Sequence, residues 1–315
     1  MSSNVRVQVT TNKTGRSAGE GRVLALMAVV FGMLLLLGTF CDEVLAKTLY
    51  MPHNVIATLV TTVGLYPFAT SVVLFAGAAF ERLMHGKNSQ VVKVVGCIIM
   101  AALALGVGFF GAAALVDVDC LGGVFPMLNK NYVAMAVLSL VIEWPLFYVG
   151  WRLAGRSDDR LLLKRAVCLI VVLLAAFAFM QLTKGVFNRP RYRTVAVGYE
   201  GIGFVPWYHI SPKPTDLMAT YDLAANEFRS FPSGHAIMSI STIAIMLGLT
   251  WLVPALRQKR IVLCWAGFVF ALVVMFTRMV LGAHYLSDVS AGALIGLLFV
   301  CVNWFLQRRL NTTAI

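Results

Sequence analysis

KGVFNRPRYR at residues 184–193 and FRSFPSGH at residues 228–235 open and close a polar stretch between two apolar runs, Ala166–Leu182 and Ala236–Trp251. Each run has the length and composition of a membrane-spanning helix. Lys184, Arg189, Arg191 and Arg193 are therefore pinned at the end of one such helix, and Ser233, Gly234 and His235 at the start of the next. A later apolar stretch is interrupted by Thr277-Arg278 and by His284 and Asp288, a third polar piece. Cations, a histidine and a helix N-terminus at one membrane face are what phosphate chemistry on a lipid requires.

The composition agrees. Of 315 residues 59% are hydrophobic and only 13% charged, and the mean hydropathy is +0.82, values of a chain that crosses a membrane several times. The net charge of +12 would suggest nucleic acid if the bases lined one soluble face. Most of them instead fall in short links between apolar runs, where they set topology; nucleic acid is not an expected partner. Six cysteines are scattered without the C-x-x-C spacing of a zinc or redox site. Cys41 and Cys120 fall near the same membrane face, either as a pair or as two free core cysteines.

In chain order, residues 1–22 read as a disordered polar tail. Eight apolar segments follow, at about Val23–Phe40, Val55–Phe80, Val91–Val116, Tyr132–Trp151, Ala166–Thr183, His235–Val253, Ile261–Phe276 and Leu286–Phe305. The first, with a basic tail before it and Val44-x-Ala46 after it, has some features of a cleaved leader but is long for one and reads as a retained helix. The divisions are a tail (1–22), N-terminal membrane helices (23–165), a C-terminal helical core (166–306) and a second tail (307–315). Arg6, Lys13, Arg16 and Arg22, then Arg82, Lys87 and Lys93, then Arg152, Arg156, Arg160, Lys164 and Arg165, then Arg257, Lys259 and Arg260, then Arg308 and Arg309 all fall on one side of an eight-helix trace. That side is predicted to be cytoplasmic, with both termini, and the polar stretch to face outward.

Each polar piece has a chemistry. His284 and Asp288 are four apart, so on a helix they share a face; a carboxylate on one imidazole nitrogen would fix the tautomer and leave the other as nucleophile or base. Arg278 lies six residues earlier, within reach of an anion beside that nitrogen. Ser233 is a good N-cap, Gly234 lets backbone approach a ligand, and the helix N-terminus favours phosphate. His235 there is placed to protonate a leaving oxygen. Lys184 and Arg191 add an ammonium and a guanidinium for phosphoryl oxygens. Any one of these is equally at home as a helix cap, a structural ion pair or an interfacial anchor; their meeting in consecutive loops at one face is the signal. The loop Tyr192–Ser230 is long and aromatic (Phe204, Trp207, Tyr208, Tyr221), a lid, a headgroup-recognition element or a plain connector. Glu143 lies within the fourth apolar segment, where an acid is costly.

Lys184-x6-Arg191, Pro232-Ser233-Gly234-His235 and Arg278-x5-His284-x3-Asp288 resemble, in order and spacing, the three signature motifs of the type 2 phosphatidic acid phosphatase (PAP2) superfamily. Two positions depart from the pattern: Tyr192 replaces a proline and Thr277 a serine. The resemblance covers about Ala166–Phe305. It implies an all-α polytopic bundle of about eight membrane helices with the PAP2-like core in its C-terminal half. It also implies a lipid phosphatase that needs no metal or other cofactor. In that scheme His284 attacks phosphorus, Asp288 holds it, and His235 serves the leaving group and then water. Lys184, Arg191, Ser233, Gly234 and Arg278 grip the phosphoryl oxygens. The expected partners are a lipid phosphate substrate, such as phosphatidic acid, phosphatidylglycerol phosphate or undecaprenyl diphosphate, and the membrane lipids themselves, at the outer face of the cell membrane. The alternatives are a lipid phosphotransferase with the same intermediate, and a non-catalytic lipid-binding or transport bundle.

Overall fold

The computed structural model describes residues 2–312, with side chains from Gly19 onward. Among them the secondary structure is helical throughout, and eight helices are long and apolar enough to span a membrane. They are α1 (Ser2–Leu49), α2 (Val55–His85), α3 (Gln90–Leu115), α4 (Tyr132–Arg156), α5 (Leu162–Thr183), α6 (Gly234–Leu252), α7 (Arg260–Val280) and α8 (Leu286–Thr312). Several starts follow from capping: the side-chain oxygens of Asn54 and Asn131 accept from the amides of Ala57 (2.9 Å) and Ala134 (3.0 Å). Pro67 lies inside α2; the hydroxyl of Thr70 donates to the carbonyls of Tyr66 (3.0 Å) and Pro67 (3.2 Å).

α1 differs most from expectation. It runs back over the stretch read as a disordered tail and forward past Phe40 to Leu49. Glu20 and Asp42, at the two edges of the apolar run, are satisfied inside the bundle, which removes a cost that would end the helix there. Glu20 accepts from Arg260 and from the Trp304 indole (3.0 Å), and Asp42 accepts from Arg189 (2.9 Å). α8 likewise continues to Thr312, into the expected second tail; Met1 and residues 313–315 lie outside the described residues.

α6 is the central helix. Of its most apolar window 89% is buried, against 22% for α1 and for α3, whose Leu36, Phe40, Val91 and Ile98 point outward as a lipid-facing belt would. α6 packs on α8 and α7, α1 on α8, and α2 on α3, α4 and α5. Small residues let backbones meet: a Cβ at Gly77 of α2 would lie 2.0 Å from the Phe147 carbonyl oxygen of α4, and one at Gly38 of α1 2.6 Å from the Ser287 nitrogen of α8. Glu143 is buried in a π-helical turn of α4, beside the Tyr66 side chain of α2. All six cysteines are free, Cys41 and Cys120 included.

Candidate active site

Four helix ends meet at one end of the bundle: the C-termini of α5 and α7 and the N-termini of α6 and α8. Lys184 is the C-cap of α5, Ser233 the N-cap of α6, Arg278 lies in the last turn of α7, and Asp288 in the first turn of α8. The link from Arg278 to His284 is drawn tight by Gly282, at φ +61°. A Cβ there would sit 2.7 Å from the Tyr50 ring, so both conformation and packing call for glycine. The turn lets Ala283 and His284 both donate to the Arg278 carbonyl (3.1 and 3.3 Å), which keeps the arginine and the histidine together.

His284 does not hold Asp288 as the spacing predicted. Its Nδ1 donates to the Ser230 carbonyl at 2.6 Å, while Asp288 Oδ2 is 3.8 Å away and acts on the ring as a nearby charge. The reason is local: α8 begins at Leu286, so His284 precedes the helix and the i,i+4 geometry does not apply to it. A carbonyl can only accept, so Nδ1 carries the proton and Nε2 keeps its lone pair. Burial pushes the imidazolium down to about 4, against the pull of Asp288 and with the help of Arg278 and Arg191; His284 is therefore neutral near pH 7.

Asp288 is held by a different set. It accepts from Arg189 Nη1 (2.5 Å), the Ser230 hydroxyl (2.5 Å) and the Tyr285 amide (2.8 Å), and its backbone carbonyl accepts from the Ser233 amide (3.0 Å). Arg189 also donates to Asp42 (2.9 Å), the Ser287 hydroxyl (2.9 Å) and the Val205 carbonyl (2.7 Å), with its guanidinium 4.1 Å from the Tyr285 ring centroid. Asp42, Arg189 and Asp288 are all essentially without solvent contact. Of these residues only Asp288 was given a role from sequence. Asp42, an acid inside the first apolar helix, carried the signal of an intramembrane ionisable group; Ser230 carried none.

The remaining cations form a second cluster. Asp119, from the turn between α3 and α4, accepts through Oδ2 from Arg191 Nη1 (2.7 Å) and Arg278 Nη2 (3.1 Å), and through Oδ1 from Arg193 Nη1 (2.7 Å). Arg191 also donates to Asn226 Oδ1 (2.9 Å), and Arg193 pairs with Glu227. Burial alone would raise the Asp119 carboxyl, but Arg191, Arg278 and Arg193 together hold it well below the usual range. Several polar atoms here are buried without a partner among the described residues: Arg191 Nε, Arg278 Nε and Nη1, and His235 Nε2. Lys184 completes the group: a Cβ at Gly234 would lie 3.0 Å from its Nζ, and burial, then Arg191 and Arg278, bring the ammonium down to about 8. The Ser233 hydroxyl accepts from the Ala236 amide at 3.4 Å, a loose cap. All eight predicted site residues thus come together, and Asp119 and Glu227 are additions.

The long loop is packed over the site. Trp207 stacks on Phe231 (5.6 Å) and donates to Thr39 Oγ1 of α1 (3.0 Å), Phe204 meets Tyr285 edge-on (5.4 Å), and Tyr199 stacks on Tyr221 (4.5 Å). These contacts hold the loop in place, so it is not a floppy connector. A cavity of about 450 Å³ opens beside the second cluster, with Tyr50, His53, Val118, Asp119, Arg193 and Arg278 in its walls. No curated protein and no solved structure matched the chain. A model of the PAP2 superfamily matches residues 165–311, the part that carries Lys184, Arg191, Ser233, Gly234, His235, Arg278, His284 and Asp288.

Proposed function

We propose that this protein is an integral-membrane lipid phosphatase that works through a phosphohistidine on His284. The observation that carries the reading is the pairing of a tied Nδ1 with unsatisfied donors nearby. The Ser230 carbonyl leaves the other ring nitrogen of His284 as the nucleophile, and Arg191 and Arg278 keep buried N–H groups without partners. In the first step Nε2 bonds to phosphorus as the bond to the lipid oxygen, or to the leaving phosphate of a diphosphate, breaks. The Asp288 charge beside the ring stabilises the cationic phosphoimidazole. His235, whose Nε2 is free, gives the leaving oxygen its proton. In the second step His235 takes a proton from water, whose oxygen attacks phosphorus, and inorganic phosphate leaves with His284 restored. Every described carboxylate around the histidines (Asp42, Asp119, Glu227, Asp288) is engaged by an arginine, which leaves none to gather a Mg²⁺ ion.

Phosphate release by purified protein from a panel of lipid monophosphates and diphosphates, with and without an acceptor lipid, tests the reading. Release without acceptor and in EDTA is expected; transfer only to an acceptor would make it a phosphotransferase. No turnover with any of them would leave the binding-only bundle.

The basic links support a site that faces away from the cytoplasm, in the cell membrane, with both termini inside. A cysteine at exposed Thr215 should then react with an impermeant maleimide in intact cells, while one at exposed Arg156 should not. The reverse pattern would overturn the orientation.

A further inference from the structure

Asp119 lies outside the residues that match the superfamily, yet its carboxylate is the meeting point of three arginines. One oxygen bridges Arg191 and Arg278, the arrangement a phosphoryl oxygen takes between two guanidinium groups. The turn that presents it is built to stay. Asp117 Oδ1 accepts from the Asp119 amide (2.9 Å), and the Asp117 carbonyl accepts from Cys120 (2.9 Å) and Gly122 (3.1 Å). A Cβ at Gly122 would lie 2.2 Å from the Val116 carbonyl oxygen, so the turn is closed on itself.

Each motif arginine is therefore divided. Nη1 of Arg191 and Nη2 of Arg278 are spent on Asp119, while Arg191 Nε and Arg278 Nε and Nη1 stay buried and unpartnered. A guanidinium is planar, so fixing one corner fixes the direction of the others. Charge points the same way. Lys184, Arg191, Arg193 and Arg278 outnumber Asp119 and Glu227, a positive surplus that suits a phosphoryl dianion. Without Asp119 the pocket would hold that dianion more tightly, including the phosphate it must release.

We propose that Asp119 is a positioning residue contributed by the N-terminal half, which aims the free N–H groups of Arg191 and Arg278 at the phosphoryl group and weakens the pocket's hold on phosphate. The proposal rests on the phosphoryl-transfer reading of the site. Arg193, which ties Asp119 to Glu227, is its counterweight.

The test uses the full chain in detergent with inorganic phosphate as the probe, read by thermal shift and by inhibition of lipid-phosphate turnover. Asp119→Asn should bind phosphate about tenfold more tightly, as one buried charge at this range implies, with KM and kcat falling together. Arg193→Gln should bind it about tenfold more weakly, and the double variant should return close to wild type. Weaker or unchanged phosphate binding in Asp119→Asn would reduce Asp119 to a structural brace, and a raised kcat would make it an obstructing plug; either overturns the proposal. If Asp119→Asn does not fold, unchanged phosphate affinity in Arg193→Gln refutes it alone. Should the wild type release no phosphate from any lipid, the phosphatase reading fails, while the thermal-shift arm still decides the role of Asp119.

Discussion

The two ion clusters on either side of His284 differ in how fully they are satisfied. Behind the ring, Asp42, Arg189, Ser230, Ser287 and Asp288 form a closed set: every described polar side-chain atom of Arg189 and Asp288 has a partner, and none of the set has an unbonded buried atom. In the other cluster Arg191 and Arg278 share one carboxylate and keep buried N–H groups without partners. A buried donor left unmade costs about 1–3 kcal/mol, more when charged. On the phosphatase reading, a bound phosphoryl group would remove that cost, so the saturated cluster would be the mount and the unsaturated one the receptor.

The largest expected effect is at the atom between them. His284→Ala should abolish turnover and any phosphoenzyme trapped by acid quench with ³²P-labelled substrate; label still bound to that variant would refute the nucleophile. His235→Ala should cost less, about 10²–10⁴-fold, the usual worth of general acid help. Its loss should be smaller on a diphosphate, whose leaving phosphate is already stable, than on a monophosphate with an alkoxide to expel. Equal losses on both substrates would remove His235 from the leaving-group step.

The comparison of clusters is broken most directly by one arginine from each. Arg189→Met strands Asp42 and Asp288 without a counter-charge, and breaking a buried pair in this way costs about 3–5 kcal/mol. Its unfolding midpoint in detergent should fall by many degrees. Arg278→Met removes two N–H groups that had no partner and one of the three arginines on Asp119, which keeps Arg191 and Arg193, so its midpoint should fall less than that of Arg189→Met while kcat/KM drops about 10²–10³-fold. If both variants lose stability alike, the two clusters are one structural network and the distinction fails.

The sequence exposes these clusters unevenly, for reasons of distance. The eight spans and the four helix ends that carry the motifs are legible because apolar length and local spacing encode them. Each motif residue is within a few positions of the helix end that places it. Arg189 stands in the stretch most closely read, but its partners Asp42 and Asp288 are 147 and 99 residues away, and nothing local distinguishes it from Arg191. Asp119 sits in a short link with Asp117 beside it, as any solvated turn does. The His284–Asp288 spacing brings the two within 3.8 Å but not into a hydrogen bond, because the helix starts two residues after the histidine and the Ser230 carbonyl takes its Nδ1 proton. The extent of α1 is not legible locally either, since Glu20 and Asp42 find partners on α7, α8 and the segment after α5 that only the fold supplies.

The smallest expected effect is also the one that most sharpens the receptor side. Lys184 lies at the end of α5, and burial with two neighbouring guanidinium groups brings its ammonium down to about 8. An ordinary lysine, near 10.4, would stay charged through the whole working range. Here the charged form is lost as pH rises through about 8, and one unit above that midpoint only about a tenth of the lysines remain protonated. The phosphate of the substrate is already fully ionised there, its second pKa being about 6, so the falling limb belongs to the protein. Loss of this cation should therefore take a further tenfold per unit off kcat/KM above about pH 8, beyond any fall set at lower pH by the proton on His235. Lys184→Arg keeps its charge at every accessible pH, so the variant should be weaker at pH 7, because an ammonium site is poorly filled by a planar fork, but without that further fall above pH 8. Retention of the further fall in Lys184→Arg would assign it to another group and take Lys184 out of the phosphate-binding set.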